Sequence, residues 1–550
     1  MDKITTTSDV KKTFELPKED NSLIAHYRQR LQVLELKRSN YLNVWSELAI
    51  LADPRNAYFR TTRPNGDLSQ LIPKTDDTFQ FLLPTHAAIM HSLLTPMAYR
   101  WHNFTFFEPE LQKNYGYILD QQSDFLHRKR YSARSGFTGA ISECYVSLAV
   151  YGHCILEVTK DLKTRSVMYK ALPIKEFCID KDENGFVNTF YRKVEMTYRN
   201  LLNLFPGYVP DKYKDFDTLD WLNQKMELLC VVEPSLTESS KYDNVWIDLT
   251  NFKVLEHKTT PKCRFICARS NVFPSSDDPY GFSPAMEIMP SMKALNSLSY
   301  NILKLGDAAA RLDFLAGEDV VNPANFGGNS NIIEGGVDDE GRPLVHRIEY
   351  PSLPNTEFVQ KSYQDKIKVA LFVNFFLSLN ETQSRSATDS MLKANEKANM
   401  VAPTGDRIAR ELLIPMIELE LQYYGDMHML PEFPAEIKNL GLITDFDITL
   451  DNPMLKGQRI DSANGIMTMA QYLASIVGLD SEFNVDRTKQ VLAEIFNIPQ
   501  AVLNTPDEKK EVNDAKAQAQ EMAMLAENAG GIGSGVKDLV ESSLASGAQQ

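Results

Sequence analysis

The chain has 550 residues, 43% hydrophobic and 24% charged, a composition typical of a soluble globular protein with a few domains. Its net charge of −15 argues against a generic nucleic-acid-coating surface, which needs many Lys and Arg contacts to phosphate. Six cysteines without a CxxC pair favour reduced core thiols in a cytosolic protein. No apolar signal segment begins the chain, and the longest apolar run, near 369–379, is about half a membrane span. We therefore expect neither secretion nor a membrane-spanning helix.

Two helices are predicted before the first hairpins. Residues 20–51 keep apolar positions three or four apart, which indicates a long amphipathic helix that Pro54 ends. An apolar helix over 78–97 is followed by the aromatic, strand-like segment AYRWHNFTF. His86 and His91 are five residues apart and lie on different faces of this helix, which favours core or surface histidines over a metal pair.

A small β-rich subdomain is predicted next. It follows a helix over 135–151, which Gly152 is placed to end in the left-handed conformation. Runs of β-branched and aromatic residues separated by turn residues indicate the strands. They lie at residues 154–160, 166–172, 185–196, 226–233, 243–257 and 262–272.

The segment DKDENG lies within this subdomain. It places Asp180, Asp182, Asn184 and Gly185 at positions one, three, five and six of a calcium-binding loop. Position twelve is Tyr191 rather than the required glutamate, and strands rather than helices flank the segment. The pattern therefore favours an Asn-Gly hairpin turn, with a weak cation site as the alternative.

A long helix with one packing seam is predicted over 284–312, because its apolar residues recur three and four apart. Lys293, Lys304 and Arg311 are spaced eleven and seven residues apart. In an α-helix these spacings place all three on the same side of the helix. Lys293 lies about 200° from the seam, so this basic stripe faces away from it. The seam includes Leu295, Leu298, Ile302 and Leu305.

A second helix is predicted over 355–379. It begins polar and ends in the run VALFVNFFLSL, which has no polar face and must be buried on all sides. One helix pair cannot bury this run and also account for a continuous basic stripe. A ring of such pairs can, with seams between neighbours and the stripe lining a hole. The insert between the helices, 313–354, is rich in Gly, Asn and Pro and contains the strand-like fragment LVHRIEY.

The remainder of the chain is predicted to be largely helical. Asn380 to Ser386 form a polar loop, and the helix that follows should be broken at Pro403 and Gly405. The segment DFDITLD predicts one strand at 445–451. Helices are predicted beyond it at 458–476, 486–495 and 507–528, followed by a flexible tail.

Four stretches together resemble the portal, or head-to-tail connector, proteins of short-tailed bacteriophages. They are YGFSPAMEIMPSMKALNSLSYNILK, the helix ending in LLTPM with its aromatic strand, the strands from YGHCILEV to MTYRNLLNLFP, and the segment beginning LNETQSRSATDS. The resemblance covers about residues 25–480. It implies an α+β fold: a portal-type ring subunit with a helical stem pair, a mixed α/β wing with a small β-rich subdomain, an αβ clip and a helical C-terminal crown.

The resemblance also implies domain boundaries. These are a wing at 1–283, stem helix 1 at 284–312, a clip at 313–354, stem helix 2 at 355–379, a channel loop at 380–386, a second wing portion at 387–480, and a helical crown with a flexible tail at 481–550.

The function implied is a twelve-subunit ring at one capsid vertex of the virion, made in the host cytoplasm, that serves as the channel for DNA packaging and ejection. The partners implied are further copies of the chain, the terminase large subunit, major capsid and scaffolding proteins, tail adaptor proteins, internal core or ejection proteins, and the double-stranded DNA in the channel. No membrane and no cofactor are expected.

Three residue sets are assigned on this basis. Lys293, Lys304, Arg311, Asn380, Gln383 and Arg385 would line the DNA channel. Leu295, Leu298, Ile302 and Leu305 would form the subunit interface. Asp338, Asp339 and Glu340 would dock a basic partner at the clip, with a solvated hairpin turn as the alternative.

Two hypotheses from other classes remain open. A metal-dependent phosphohydrolase would use Asp180 and Asp182, or Asp445 and Asp447, although too few residues follow the second pair to build the required parallel sheet. A membrane-inserted pore would use residues 367–379. No nucleophile elbow, HExxH or dinucleotide fingerprint occurs, so the portal interpretation predicts no catalysis, no catalytic residue and no metal site.

Overall fold

The computed structural model describes residues 20–54, 75–213, 220–238, 240–271, 278–310, 314–316, 345–347, 356–374, 403–433 and 446–450, with residues 340, 342, 465 and 468. The chain divides into two compact units. The first contains Met1–Thr105 and Gln121–Gln458, and the second contains Phe106–Asp120 and Arg459–Gln550. The helices predicted beyond residue 458 lie outside the described residues, apart from positions 465 and 468.

The described helices are α1 Asp20–Ala52, α2 Thr78–Leu94, α3 Pro109–Arg130, α4 Phe137–Tyr151, α5 Tyr198–Leu204, α6 Pro284–Ala310, α7 Thr356–Ala370 and α8 Ile414–Asp426, with short 3₁₀ turns at Ile174–Glu176, Asp211–Tyr213 and Asp220–Asn223. The described strands are β1 His102–Phe106, β2 His153–Asp161, β3 Ser166–Leu172, β4 Phe177–Lys181, β5 Val187–Thr197, β6 Lys225–Pro234, β7 Tyr242–Asp248, β8 Lys253–Thr260, β9 Phe265–Arg269, β10 Phe314–Ala316, β11 Val345–Arg347 and β12 Phe446–Leu450. The predicted α+β class is confirmed.

The β-rich subdomain is a five-stranded antiparallel sheet in the order β4-β5-β6-β7-β8. Its central strand β6 is buried on both faces, which explains the continuous apolar run LLCVV at 228–232. Strand β4 was not predicted. The strand predicted over 243–257 is two strands, because the Asp248 carboxylate accepts hydrogen bonds from the amides of Thr250 and Asn251 and closes a turn.

The last predicted strand of the subdomain belongs to a second sheet. Strand β9 pairs with β2, in a three-stranded antiparallel sheet of order β3-β2-β9. Because β2 and β3 correspond to the strands predicted at 154–160 and 166–172, the strands predicted together form two sheets. All five residues of β9 are buried, so its sequence has no alternation of apolar and polar residues. Without that alternation, the sequence does not indicate which sheet the strand joins.

The first helix, α1, joins the two halves of the core. Its extent confirms the prediction, and Tyr27, Leu34, Trp45 and Leu48 are all fully buried. Its first half covers one face of the five-stranded sheet, where Leu23, Tyr27 and Leu34 pack with residues of β4 to β7. Its second half packs into a larger core with residues of α2, α4 and α6.

The helix that follows the predicted channel loop is kinked. Residues 403–408 are helical, and Ala409–Leu413 form a π turn before α8. Pro415 has no N–H for the carbonyl of Glu411, and its ring crowds that carbonyl, so the widened turn accommodates it. The predicted break at Pro403 and Gly405 remains a prediction, because the residues before 403 lie outside the described residues; Gly405 itself lies within a helical segment.

A buried ion pair connects α3 to α8. Arg130 and Glu420 have side-chain exposures of 0% and 1%, and Arg130 Nε donates to Glu420 Oε1 at 2.8 Å. The hydroxyl of Tyr169 on β3 also donates to this carboxylate, and the guanidinium lies over the ring of Trp101. Burial works to lower the pKa of Arg130, and the Glu420 carboxylate reverses this and raises it.

Removing one partner of this pair should destabilise the fold strongly. Glu420→Gln leaves the buried guanidinium without its counter-ion, and we expect a loss of about 3–5 kcal/mol in the free energy of unfolding measured with urea. The matched control is Asp426→Asn in the same helix, which breaks the exposed Lys160–Asp426 pair and should lose less than about 1 kcal/mol. Equal losses would contradict a structural role for the buried pair.

A second prediction concerns pH. His153 packs among Trp45 and Tyr280, and burial lowers its pKa to about 4. Because this value lies below the unfolded pKa of about 6.5, the unfolded state takes the proton first, and stability falls as the pH drops from about 6.5 to about 4.

The measurement is urea unfolding at two pH values. Between pH 7 and pH 5, His153 should account for about 2 kcal/mol of lost stability. His153→Phe should lose correspondingly less stability than the wild type between these two pH values, because it lacks the side chain that takes up the proton on unfolding. An unchanged pH dependence in His153→Phe would contradict the assignment.

Candidate functional site: a helical hairpin

Helices α6 and α7 pack against each other and form the hairpin predicted as the stem. The start of α6 follows from its sequence: Pro284 opens the helix, and the hydroxyl of Ser283 accepts a hydrogen bond from the amide of Met286 at 2.9 Å. Strands β10 and β11, just after α6 and just before α7, pair antiparallel. The end of α6 and the start of α7 therefore lie at one end of the hairpin, which we call the far end.

Two members of the predicted basic stripe lie on an exposed face of α6. Lys293 forms an ion pair with Glu47 of α1 at 2.5 Å, and Lys304 lies 4.5 Å from the ring centre of Tyr300. Arg311 lies outside the described residues. Tyr300 was not predicted as part of this stripe. It is 46% exposed and lies seven residues after Lys293, a spacing that places it on the same face of α6.

The predicted seam is buried to different degrees along its length. Leu295 is completely buried in the core of its own chain, among residues of α1, α2 and α7. Leu298, Ile302 and Leu305 are only half-buried. Of these four described residues, the last three therefore have side-chain surface available to another molecule.

Apolar side chains are exposed at the far end of the hairpin. Leu303 is 57% exposed on α6, and Phe358 and Val359 are 75% and 41% exposed on α7. Leu303 follows the buried Met292 and Ser299 at helical spacing, so it continues the face of α6 that is buried nearer its start. The helical spacing of these three residues of α6 can be recognised in the sequence. The point along α6 at which burial ends cannot.

The near end of the hairpin is fixed to α4 by a close backbone contact. A Cβ atom placed on Gly281 would lie 2.2 Å from the carbonyl oxygen of Gly152, and the reverse is also true. Gly152 adopts φ 82°, which confirms its predicted role in ending α4. The hydroxyls of Ser270 and Ser283 donate to the last carbonyls of α4, at Leu148 and Val150.

The second helix of the hairpin is interrupted before its predicted end. Helix α7 ends at Ala370, Phe372 follows with φ 58°, and residues 373 and 374 are helical again, whereas residues 375–379 lie outside the described residues. The run beyond it is only partly described. Within that part, Ile367, Leu371 and Val373 are buried, but Val369 is 62% exposed, so burial on all sides does not hold within a single chain.

Other predicted site residues are only partly described. Glu340 is exposed and forms an ion pair with Arg342. Asp338 and Asp339 of the predicted clip surface lie outside the described residues. So do all three assigned residues of the predicted channel loop, Asn380, Gln383 and Arg385.

The acidic pairs of the hydrolase hypothesis have structural roles where they are described. Asp180 forms ion pairs with Arg30 and Lys37. The Asp182 carboxylate accepts a hydrogen bond from the amide of Phe186 and helps to close the β4–β5 hairpin, which confirms the predicted turn. Asp445 and Asp451 lie outside the described residues, and Phe446–Leu450 between them form the predicted strand, β12.

Two features of the described residues bear on the remaining hypotheses. Among those residues, no group of three or more His, Cys, Asp and Glu side chains is arranged to hold a metal ion. No helix in the described ranges is long and apolar enough to cross a membrane.

Comparison with known proteins identifies the family. A family model described as bacteriophage head to tail connecting protein matches residues 25–503. The chain belongs to this family. The probable portal protein of Bordetella phage BPP-1 is 22% identical over 90% of this chain and 92% of its own length. The portal protein of Salmonella phage epsilon15 is 21% identical over the same shares of the two chains.

A solved structure was also compared. A chain in the neck of an empty GTA particle, computed with C6 symmetry, is 13% identical, with a TM-score of 0.36 over 76% of this chain and 94% of that one. The connector family fits the sequence-based interpretation of the chain as a portal, or head-to-tail connector, protein of a short-tailed phage, which is therefore confirmed. Connectors join head to tail, so the chain acts at the head-tail junction of the virion, with capsid and tail partners.

The glycine contact that fixes this connector's hairpin should tolerate no side chain. Gly281→Ala would force a methyl group into the Gly152 carbonyl, and we expect a loss of at least about 2 kcal/mol in unfolding free energy. Gly306→Ala in α6 is the matched control, because a Cβ there meets nothing within 4 Å. It should stabilise the protein by about 0.5–1 kcal/mol. Similar melting temperatures for the two variants would contradict the contact.

Proposed function

We propose that twelve copies of this chain form a ring at one capsid vertex and provide the channel through which DNA is packaged and ejected. Its partners would be the terminase large subunit during packaging, major capsid and scaffolding proteins, tail adaptor proteins and internal core or ejection proteins. The ring would be made in the host cytoplasm and would not act in a membrane. The family match over residues 25–503 is the observation that carries this proposal.

The far end of the hairpin supports association of subunits. A face of α6 that is buried near its start is exposed at Leu303, and Phe358 is exposed at the start of α7. Exposed apolar side chains that continue a buried face indicate a surface covered by another molecule. We assign the subunit contact to these residues together with the half-buried edge of Leu298, Ile302 and Leu305.

The charge distribution supports sliding rather than tight binding of DNA. The net charge of −15 disfavours adhesion to phosphate over the whole surface. Sparse basic groups such as Lys293 and Lys304 would make weak, repeated contacts with the backbone, and the Lys293 charge is partly offset by Glu47. In this proposal Arg311, Asn380, Gln383 and Arg385 complete the channel lining.

The acidic clip residues would dock a basic surface of the motor. Asp338, Asp339 and Glu340 are adjacent in sequence, and Glu340 is exposed. Attraction between such surfaces raises the rate of association and weakens with salt. Arg342 shares part of the Glu340 charge, so the two aspartates would supply most of the negative potential.

No catalysis is part of this proposal. The chain would act as a passive channel, and the energy for DNA movement would come from the terminase. The Asp180 carboxylate supports this view, because Arg30 and Lys37 already occupy it.

Ring formation provides the test. Wild-type protein should appear by negative-stain microscopy as rings with a central hole, and native mass spectrometry should give the mass of twelve chains. Leu303→Asp should abolish the rings, because it places a charge in the apolar contact of every subunit pair. The fold of the single chain should survive, since Leu303 is exposed.

The matched control is Leu162→Asp, in the turn between β2 and β3. Leu162 is 70% exposed, so this variant makes the same chemical change on a different surface. It should form normal rings. Absence of rings in the wild type would contradict the ring itself, and intact rings of unchanged stability in Leu303→Asp would contradict the assigned contact.

A further inference from the structure

The side chain of Phe81 lies on an exposed face of α2 that carries no charge. Phe81 is 76% exposed, and Thr85, Ala88 and Ser92 continue the same exposed face at helical spacing. Helix α2 contains no Asp, Glu, Lys or Arg along its whole length. The face of a helix that is open to water normally carries charged and polar side chains. An exposed aromatic ring on an uncharged face therefore indicates a surface that another molecule covers.

A cavity lies against the opposite, buried face of α2. Its volume is about 190 Å³, and its lining includes the buried residues His86 and Met90 of α2 and Leu148 of α4. Glu287 and Val369 also line it and are exposed, so the cavity opens to the surface beside them. A cavity of about 150 Å³ is enough to hold benzene. This cavity therefore has room for one phenyl ring.

The ring of Phe81 cannot enter the cavity of its own chain. His86 and Met90 follow Phe81 by five and nine residues, which places them about 140° and about 180° around the axis of α2 from it. The burial of the helix agrees, because both of these residues are buried whereas Phe81 is exposed. A phenyl ring that fills this cavity must therefore come from another molecule.

We propose that Phe81 of one copy of the chain inserts into this cavity of a neighbouring copy. The inference rests on the proposed ring and adds a contact to the one assigned at the far end of the hairpin. In a closed ring each subunit meets its two neighbours through two different surfaces, which must be complementary to each other. Helix α2 supplies both members of such a pair, the projecting ring on one face and the cavity against the other.

The position of the cavity gives this contact a role in ring geometry. Its lining includes Pro284, where α6 begins, so insertion of Phe81 would engage the near end of the neighbour's hairpin. Leu303 of the far-end contact lies about 28 Å from Pro284 along α6. Two contacts that are this far apart restrict the rotation of one copy against the next, which a single contact does not.

Association of copies of the full chain, measured by analytical ultracentrifugation, provides the first test. Phe81→Ala should keep its fold, because the side chain is exposed. It should weaken association between copies roughly tenfold to a hundredfold, the effect of leaving one phenyl ring unburied. Phe186→Ala is the matched control, since it removes a ring that is 41% exposed beside the β4–β5 turn, and it should associate as the wild type does. Equal association of Phe81→Ala and the wild type would overturn the inference.

Cross-linking tests whether the ring and the cavity meet. Phe81→Cys and Val369→Cys are combined in one chain and treated with a bis-maleimide shorter than the diameter of a helix, about 10 Å. Copies should then be joined into covalent multimers on a denaturing gel. Leu162→Cys combined with Val369→Cys should give none, because Leu162 is equally open to reagent but lies on a different surface.

The outcomes separate this contact from the ring itself. Multimers that form without closed rings in the microscope would support the contact and contradict the proposed ring. Closed rings in which Phe81→Cys and Val369→Cys give no multimers would support the proposed ring and overturn the contact.

Discussion

The buried pair between Arg130 and Glu420 is the contact on which the arrangement of the first unit depends. Two opposite charges removed from water are tolerated only where their geometry is close and further groups engage them. Here Tyr169 donates to the carboxylate, and Trp101 covers the guanidinium. Because these partners come from different elements, the requirement to satisfy both charges fixes α3, β3 and α8 at one point.

A series of further contacts connects α8 to the helical hairpin. The π turn before α8 presents Glu411 to Arg269 at the end of β9, a second pair with side-chain exposures of 8% and 4%. The next residue, Ser270, bonds to the end of α4, where Gly152 meets Gly281. The near end of the hairpin is thus held by polar and steric contacts that allow little freedom. Its far end carries exposed apolar residues, as expected of a surface that awaits a partner.

Local patterns in the sequence predicted the helices well, because burial of one face imposes a visible period on α1 and α6. Local patterns also predicted the turn after Asp180 and the cap at Gly152, because each of these depends only on residues adjacent in sequence. The Arg130–Glu420 pair was not predictable, because its partners are 290 positions apart. The interruption after Ala370 was missed because residues 367–379 contain no glycine or proline to indicate it. The residue assignments for the channel, the subunit interface and the clip remain predictions.

The pairing of β9 with β2 also imposes an order on folding. Strands β4 to β8 are inserted between β3 and β9, so the three-stranded sheet cannot be completed until the five-stranded sheet has been synthesised. At about 5–20 residues per second, translation of that insert occupies on the order of ten seconds. During this interval the edge of β2 that receives β9 is unpaired, and an unpaired edge can join strands of other chains. For a chain proposed to assemble in twelve copies, wrong association is therefore most probable before its own chain is complete.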